Sequence, residues 1–265
     1  MNRERTSFLR SQLEMLPNLK LLITSGRRNL SIDIPFAIKK GIVVCGTDTE
    51  SHPTPELTWG LILSLARQIP KEDRLLRAKG YWQTTVGVGL RGRILGIVGL
   101  GRLGIEVAKI GQAFGMKIIA WSPNLTLQRT NAVGVELATK EELFSEADFV
   151  TLHMPLSERS RGIVAQKDIA KMKPTSYLIN TSRGPLVDEA ALISALQNHA
   201  IAGAGLDVFD IEPLPTDHIY RQLENTVLTP HLGYVVEENY RQGYAQMIEN
   251  IEAWISGEPR RVIHT

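Results

Sequence analysis

Residues 94 to 114 constrain the fold of this chain more than any other stretch. A short apolar run (Ile94, Leu95, Ile97, Val98) reaches Gly99-Leu100-Gly101-Arg102-Leu103-Gly104, after which Leu103, Val107, Ile110 and Phe114 recur at helical spacing. The pattern predicts a buried strand, a glycine turn and a helix. Gly99 lets the chain reverse tightly, Gly101 lets backbone N–H groups approach a pyrophosphate, and Gly104 lets the helix press on the strand. The phosphates then meet the positive end of the helix. A GxGxxG alone is a weak signal, and a glycine-rich loop that binds nothing would look the same. Here strand and helix flank it in the right order and a second strand, Met116 to Trp121, follows at βαβ distance, so a dinucleotide site is expected.

The rest of the chain extends that unit. Helices are predicted near Lys140 to Ser145, Lys167 to Met172 and Asp188 to Asn198, alternating with strands Asp148 to Leu152, Ser176 to Asn180, Ala202 to Leu206 and Thr226 to Leu228. Repeated βα units of this length imply an α/β fold with a doubly wound, Rossmann-like parallel sheet. The 265 residues allow two domains, and 43% hydrophobic residues supply a core. Residues 51–234 are read as the nucleotide domain, and 1–50 with 235–265 as a smaller substrate domain. Its 30 basic and 28 acidic residues are mixed along the chain, which argues against an extended nucleic-acid surface. No apolar run reaches about 18 residues, so no membrane span is expected. The single Cys45 cannot form an internal disulfide and reads as a small core residue; a cytoplasmic protein is expected.

Ahead of the glycine turn, residues 7 to 50 read as helix (Ser7 to Leu16), strand (Leu19 to Thr24), helix (Ile34 to Lys40) and strand (Ile42 to Cys45). Two strands rarely make a stable sheet alone, so this part must dock or complete a larger unit. Between its elements, Arg27 and Arg28 form either a solvated basic loop or a seat for an anionic substrate group. Glu56 to Ile69 is apolar around much of its circumference and must be buried on several sides, by joining two domains or by meeting its copy in a homodimer. Gly80 to Arg93 reads as an exposed arm. In the closing helix, Glu237 to Ser256, the residues Tyr240, Tyr244, Met247, Ile248, Ile251, Trp254 and Ile255 form an apolar stripe, with Gly257 just past its end.

In such a sheet, ligands bind outside the carboxyl ends of the strands, so polar residues just after strands carry the most weight. Arg183 follows Ser176 to Asn180, Glu212 follows Ala202 to Leu206, and His231 follows Thr226 to Leu228. An arginine can hold a carboxylate at two points and polarise a neighbouring carbonyl. A histidine exchanges protons near neutral pH, and an adjacent carboxylate favours its charged form. Singly, each has a plainer role: a loop-pinning ion pair for Arg183, for example with Asp188, a surface carboxylate for Glu212, a strand-end core residue for His231. As a set they suit hydride transfer to a 2-oxo acid.

With these residues in hand, the chain resembles the D-2-hydroxyacid dehydrogenase family, which includes glycerate, phosphoglycerate and formate dehydrogenases. Four segments carry the resemblance in family order: Gly99 to Gly104, Asn180-Thr181-Ser182-Arg183-Gly184-Pro185-Leu186-Val187-Asp188, Gly205 to Phe209 with Glu212-Pro213, and Thr229-Pro230-His231-Leu232-Gly233. The resemblance implies that Arg183 binds the substrate carboxylate and carbonyl, that His231 is the acid/base, and that Glu212 orients and charges it. It further implies that Asp207 contacts the nicotinamide carboxamide, that Arg102 and Leu103 lie over the pyrophosphate, that Met154, Thr181 and Ser182 line the cofactor cleft, and that backbone near Arg27 and Arg28 cradles the substrate carboxylate. His153 is left as structural. A homodimer and a flavodoxin-like substrate domain are implied as well.

Two departures from the family pattern stand out. An acidic residue closing the second strand typically selects NAD, whereas this chain reads Trp121-Ser122-Pro123-Asn124. Ser122 places no negative charge against a 2′-phosphate, and the nearest cations in sequence are Arg102 and Arg129, so NAD or NADP is expected as cofactor. The chain also starts partway through the family's substrate domain, near Met1-Asn2-Arg3, as a fragment or incomplete gene model would; the sheet holding Leu19 to Thr24 is then expected to have an uncovered edge prone to self-association. Two other readings compete. A dinucleotide-sensing, co-repressor-like binding protein would share the fold, and a methyltransferase would share the glycine turn but leave Arg183, Glu212 and His231 without a purpose.

Overall fold

The computed structural model describes residues 6–27, 29, 31–50 and 52–264. The chain divides into two compact units, Met1–Glu50 with Tyr234–Thr265, and Ser51–Gly233.

The first unit begins with α1 (Arg10–Glu14), β1 (Leu21–Ile23), α2 (Ile34–Lys39) and β2 (Val43–Cys45). Asp33 caps α2 by accepting from the Phe36 amide. The two strands pair in parallel, Leu22 opposite Val44, and Leu13, Ala37, Ile42 and Val44 form a small core beside them. Arg27 lies in this unit with its guanidinium on Asp48 at 2.8 Å. Arg28 lies outside the described residues.

The second unit opens with α3 (Pro53–Arg67) and α4 (Ile69–Arg77), then alternates β3 (Ile94–Val98), α5 (Arg102–Ala113), β4 (Lys117–Trp121), α6 (Leu127–Asn131), β5 (Glu136–Leu137), α7 (Lys140–Glu146), β6 (Phe149–Leu152), α8 (Gln166–Ile169), β7 (Tyr177–Asn180), α9 (Glu189–Gln197), β8 (Gly203–Leu206) and β9 (Thr226–Leu228). The strands form one parallel sheet in the order β5-β4-β3-β6-β7-β8-β9. The chain runs outward from β3 to β5 and returns to β6 on the other side of β3, which places the topological switch point at the glycine turn. Alternate strand residues feed two cores: Val98, Val150 and Leu178 pack with Phe144 and Leu192 on one face, and Leu95, Ile97 and Ile179 pack with Trp59, Leu61 and Val107 on the other. Both faces being covered explains why these strands read as continuous apolar runs.

Several elements differ from the sequence expectation. The helix expected over Glu56 to Ile69 starts at Pro53 and breaks at Gln68, whose φ of 53° is left-handed, before α4 resumes. Its apolar surface is buried by its own sheet, with Leu61 and Leu65 packing over Gly205, so neither a domain junction nor a partner copy is needed to cover it. The short elements α6 and β5 carry too little periodicity to be read from sequence.

The closing helix, α10 (Glu237–Ile255), belongs to the first unit and turns differently from the expected stripe. Its buried residues are Asn239, Gly243, Asn250 and Ala253, while Tyr244, Ile248, Ile251 and Ile255 are exposed. Buried polar contacts orient it. The Glu50 amide donates to the Asn239 side chain at 2.7 Å, and Asn250 donates to the Gly46 carbonyl at 2.9 Å. Each such group left unpaired inside the unit would cost about 1–3 kcal/mol.

Candidate active site

The second unit carries all thirteen residues assigned above to catalysis or cofactor binding. The parallel strands put the segments after β3, β4, β6, β7, β8 and β9 on one sheet edge.

At the end of β3, Gly99 has a φ of 102°, a conformation glycine adopts without penalty. A Cβ at Gly104 would lie 2.3 Å from the Gly99 carbonyl oxygen, so only glycine lets the first turn of α5 come this close. A Cβ at Gly101 would meet nothing within 4 Å. Gly101 is also the N-cap of α5, and no side chain caps that end. An open, uncapped helix N-terminus beside a glycine backbone is the environment an anionic pyrophosphate needs. Arg102 is exposed and Leu103 half-buried at its rim. Arg129, on α6, donates to the Leu100 carbonyl at 3.1 Å, which brings its guanidinium to the turn. Ser122 and Asn124 follow β4, half-buried and exposed respectively.

Behind the turn, a Cβ on Gly99 would collide with Met154 and the His153 carbonyl, which packs the segment after β6 against the turn. Ser182 donates to the Met154 carbonyl at 2.5 Å, joining the segments after β6 and β7. The Thr181 hydroxyl is buried against that of Thr58 on α3 at 2.8 Å, a partner with no sequence signal because the two are 123 positions apart. His153 is buried with an unpartnered Nε2, and burial pushes its pKa down to about 4, in keeping with a structural role.

The Asn180 side chain shapes the turn after β7: its amide donates to the Arg183 carbonyl at 2.8 Å and its oxygen accepts from the Ser182 amide at 3.0 Å. Arg183 donates to the Ser182 carbonyl at 2.7 Å, and Asp188 caps α9 through the Ala191 amide.

After β9, His231 Nδ1 lies 2.6 Å from Glu212 Oε2, both side chains being mostly buried. Glu212 Oε1 accepts from the Phe209 amide at 3.0 Å, so both carboxylate oxygens are engaged. Burial alone would raise the Glu212 carboxyl; the hydrogen bond and charge of His231, the Phe209 amide and the Arg183 charge outweigh it and hold the group below the usual carboxylate range. His231 and Glu212 are thus in direct contact, and Arg183 follows β7 on the same sheet edge.

His231 has a φ of 56°, a left-handed conformation that costs a non-glycine residue about 1–3 kcal/mol. Asp207, immediately after β8, is fully buried beneath this loop. Its carboxylate accepts from Thr229 Oγ1 and the Leu232 amide at 2.6 Å each, and from the Gly233 amide at 2.9 Å. Burial pushes the Asp207 carboxyl up, against the pull of these donors and the His231 charge. The sequence reading missed Thr229 as a partner of Asp207, although it lies within the Thr229-Pro230-His231-Leu232-Gly233 motif.

The glycine turn stands at the switch point, and Arg183, Glu212 and His231 follow strands of the same sheet edge. Residues 59–233 match the model of the D-isomer specific 2-hydroxyacid dehydrogenase NAD-binding domain. A glyoxylate reductase from Thermococcus litoralis is 39% identical over 257 residues, covering 93% of this chain and 77% of the relative. The chain belongs to the D-isomer specific 2-hydroxyacid dehydrogenases. It is 38% identical over 260 residues to the D-3-phosphoglycerate dehydrogenase of Methanocaldococcus jannaschii, with 97% of this chain but only 49% of that protein covered. The structure of a phosphoglycerate oxidoreductase from Vibrio cholerae O395 superposes with a TM-score of 0.92 at 36% identity, covering 96% of this chain and 82% of that one. As a D-2-hydroxyacid dehydrogenase, the chain is an NAD(P)-dependent oxidoreductase acting on a CH–OH group. None of its described helices is long and apolar enough to cross a membrane.

Proposed function

We propose that Arg183, Glu212 and His231 are the working groups with which this dehydrogenase interconverts a small 2-oxo acid and its D-2-hydroxy acid. The observation that carries the reading is the 2.6 Å contact between His231 Nδ1 and Glu212 Oε2, on the sheet edge that also holds the glycine turn. Gly99, Gly101, Arg102, Leu103, Gly104, Ser122, Met154, Thr181, Ser182 and Asp207 would hold a nicotinamide dinucleotide, which would supply or accept the hydride at the substrate's C2. With Nδ1 engaged by Glu212, Nε2 of His231 delivers a proton to the developing C2 alkoxide. The Glu212 carboxylate, held ionised, offers the imidazolium a fixed opposite charge and fixes its ring plane. The Arg183 guanidinium takes the substrate carboxylate in a fork and polarises the C2 carbonyl.

The enzyme acts in the cytoplasm as a homodimer on this reading. The buried, lone Cys45 fits a reducing compartment. Self-association is supported by apolar side chains on α4 and the following arm: Ile69, Leu76, Tyr81, Trp82 and Val86 are all at least 51% exposed.

The deciding experiment follows NADH or NADPH oxidation with glyoxylate, hydroxypyruvate and longer 2-oxo acids, in the natural chain and in His231→Gln. Turnover is expected to fall by roughly 10²–10⁴-fold in the variant with cofactor affinity little changed. Parallel losses in both would remove His231 from the acid/base role.

A further inference from the structure

One residue holds the histidine loop by four hydrogen bonds. Asp207 accepts from Thr229 Oγ1 and the Leu232 amide through Oδ1, from the Gly233 amide through Oδ2, and from the His231 amide at 2.8 Å through its main-chain carbonyl. Its own amide donates to the Asn180 carbonyl at 3.0 Å, which ties it to the end of β7. Successive amides of residues 231, 232 and 233 therefore converge on Asp207, and a loop whose histidine is left-handed has its backbone clamped on both sides of that histidine.

We propose that Asp207 is a positioning residue for the reaction: by gripping Thr229, Leu232 and Gly233 with its carboxylate, it holds the strained His231 backbone where Glu212 can fix the ring. The two acidic residues divide the task. Asp207 sets where the imidazole stands, and Glu212 sets which way it faces. The inference rests on His231 being the acid/base. It goes beyond a cofactor contact: three protein donors take most of the carboxylate's acceptor capacity in a fully buried position, and the negative charge strengthens each of those bonds. An amide in its place must point its NH₂ at the Leu232 or the Gly233 amide, donor against donor, so Asp207→Asn breaks the clamp while keeping the volume.

The test compares Asp207→Asn, Thr229→Val and Thr229→Ser with the natural chain, measuring kcat, KM for the 2-oxo acid and Kd for NADH or NADPH by fluorescence titration. Asp207→Asn is expected to lower kcat by about 10²-fold, the scale of a small misplacement of a reacting group. Thr229→Val should lower it by about 3–10-fold with KM and the cofactor Kd within about threefold of the natural chain, since Thr229 is not one of the residues assigned to the cofactor. Thr229→Ser, which keeps the hydroxyl donor, should restore kcat. A cofactor Kd that weakens in step with kcat in Asp207→Asn, together with natural turnover in Thr229→Val, would overturn the proposal and leave Asp207 with cofactor binding alone. Should Asp207→Asn not fold, the Thr229 pair decides alone, since a kcat equal in the valine and serine variants denies the clamp. His231→Gln is assayed alongside. If it keeps its turnover, the acid/base reading itself has failed, a result separable from any behaviour of Thr229.

Discussion

At the glycine turn, a Cβ on Gly104 would come within 2.3 Å of the Gly99 carbonyl oxygen, whereas the loop carrying His231 is tied to Asp207 by four hydrogen bonds. The first region is shaped by atoms that are missing and the second by polar groups that are paired. Both follow strands of one sheet, yet they answer different demands. A pyrophosphate needs space and unspent N–H donors. A proton-transferring imidazole needs to be held in a place its backbone would not choose unaided.

The comparison can be tested where each region is most exposed to failure. The largest effect is expected at His153, whose carbonyl lies under Gly99. Burial lowers its pKa to about 4, so between pH 6.5 and about 4 the unfolded chain binds a proton that the folded chain refuses. Stability then falls as pH drops through that window, by on the order of 3 kcal/mol. His153→Phe should flatten that slope in thermal melts; an unchanged slope would mean that the turn does not depend on a neutral imidazole.

Next come the two glycines. Gly104→Ala should cost about 1–3 kcal/mol, because the obstacle is backbone and cannot swing aside. Gly101→Ala should melt within about 0.5 kcal/mol of the natural chain, since nothing lies within 4 Å of its Cβ, while weakening the cofactor about tenfold. Melting curves and cofactor titrations on both variants check the pair. Equal melting losses would show that the turn's open side is not reserved for a ligand.

A smaller loss than that of Gly104→Ala belongs to Glu212→Gln. The folded carboxyl lies below its ordinary 4.5, so its contribution to stability is present above that value and is lost as pH falls through the folded pKa. At pH 6 the variant should melt a few degrees lower, about 1 kcal/mol, and the gap should close on acidification below about 4.5. A gap that persists in acid would place the contribution in packing and not in charge.

The sheet strands β3 through β9, apart from β5, were legible because each is an apolar run bounded by turn residues, and Arg183, Glu212 and His231 were legible because each follows such a run. The orientation of α10 was not. Of its seven-residue apolar stripe, Tyr244, Ile248, Ile251 and Ile255 are exposed and Tyr240, Met247 and Trp254 half-buried, since Asn239 and Asn250 are held inside by partners near residues 46 to 50 that no local pattern announces. The burial of α3 was legible, but what buries it was not.

Local sequence determined where a dinucleotide could bind and which side chains would stand at the strand ends, because hydrophobic period and glycine placement act within a few residues. Only the tertiary structure decided that Asp207 grips the loop 22 to 26 positions away, and that Thr181 meets Thr58 across 123. Hydrogen bonds between distant residues depend on how strands are ordered in the sheet, and periodicity along the chain carries no record of that order.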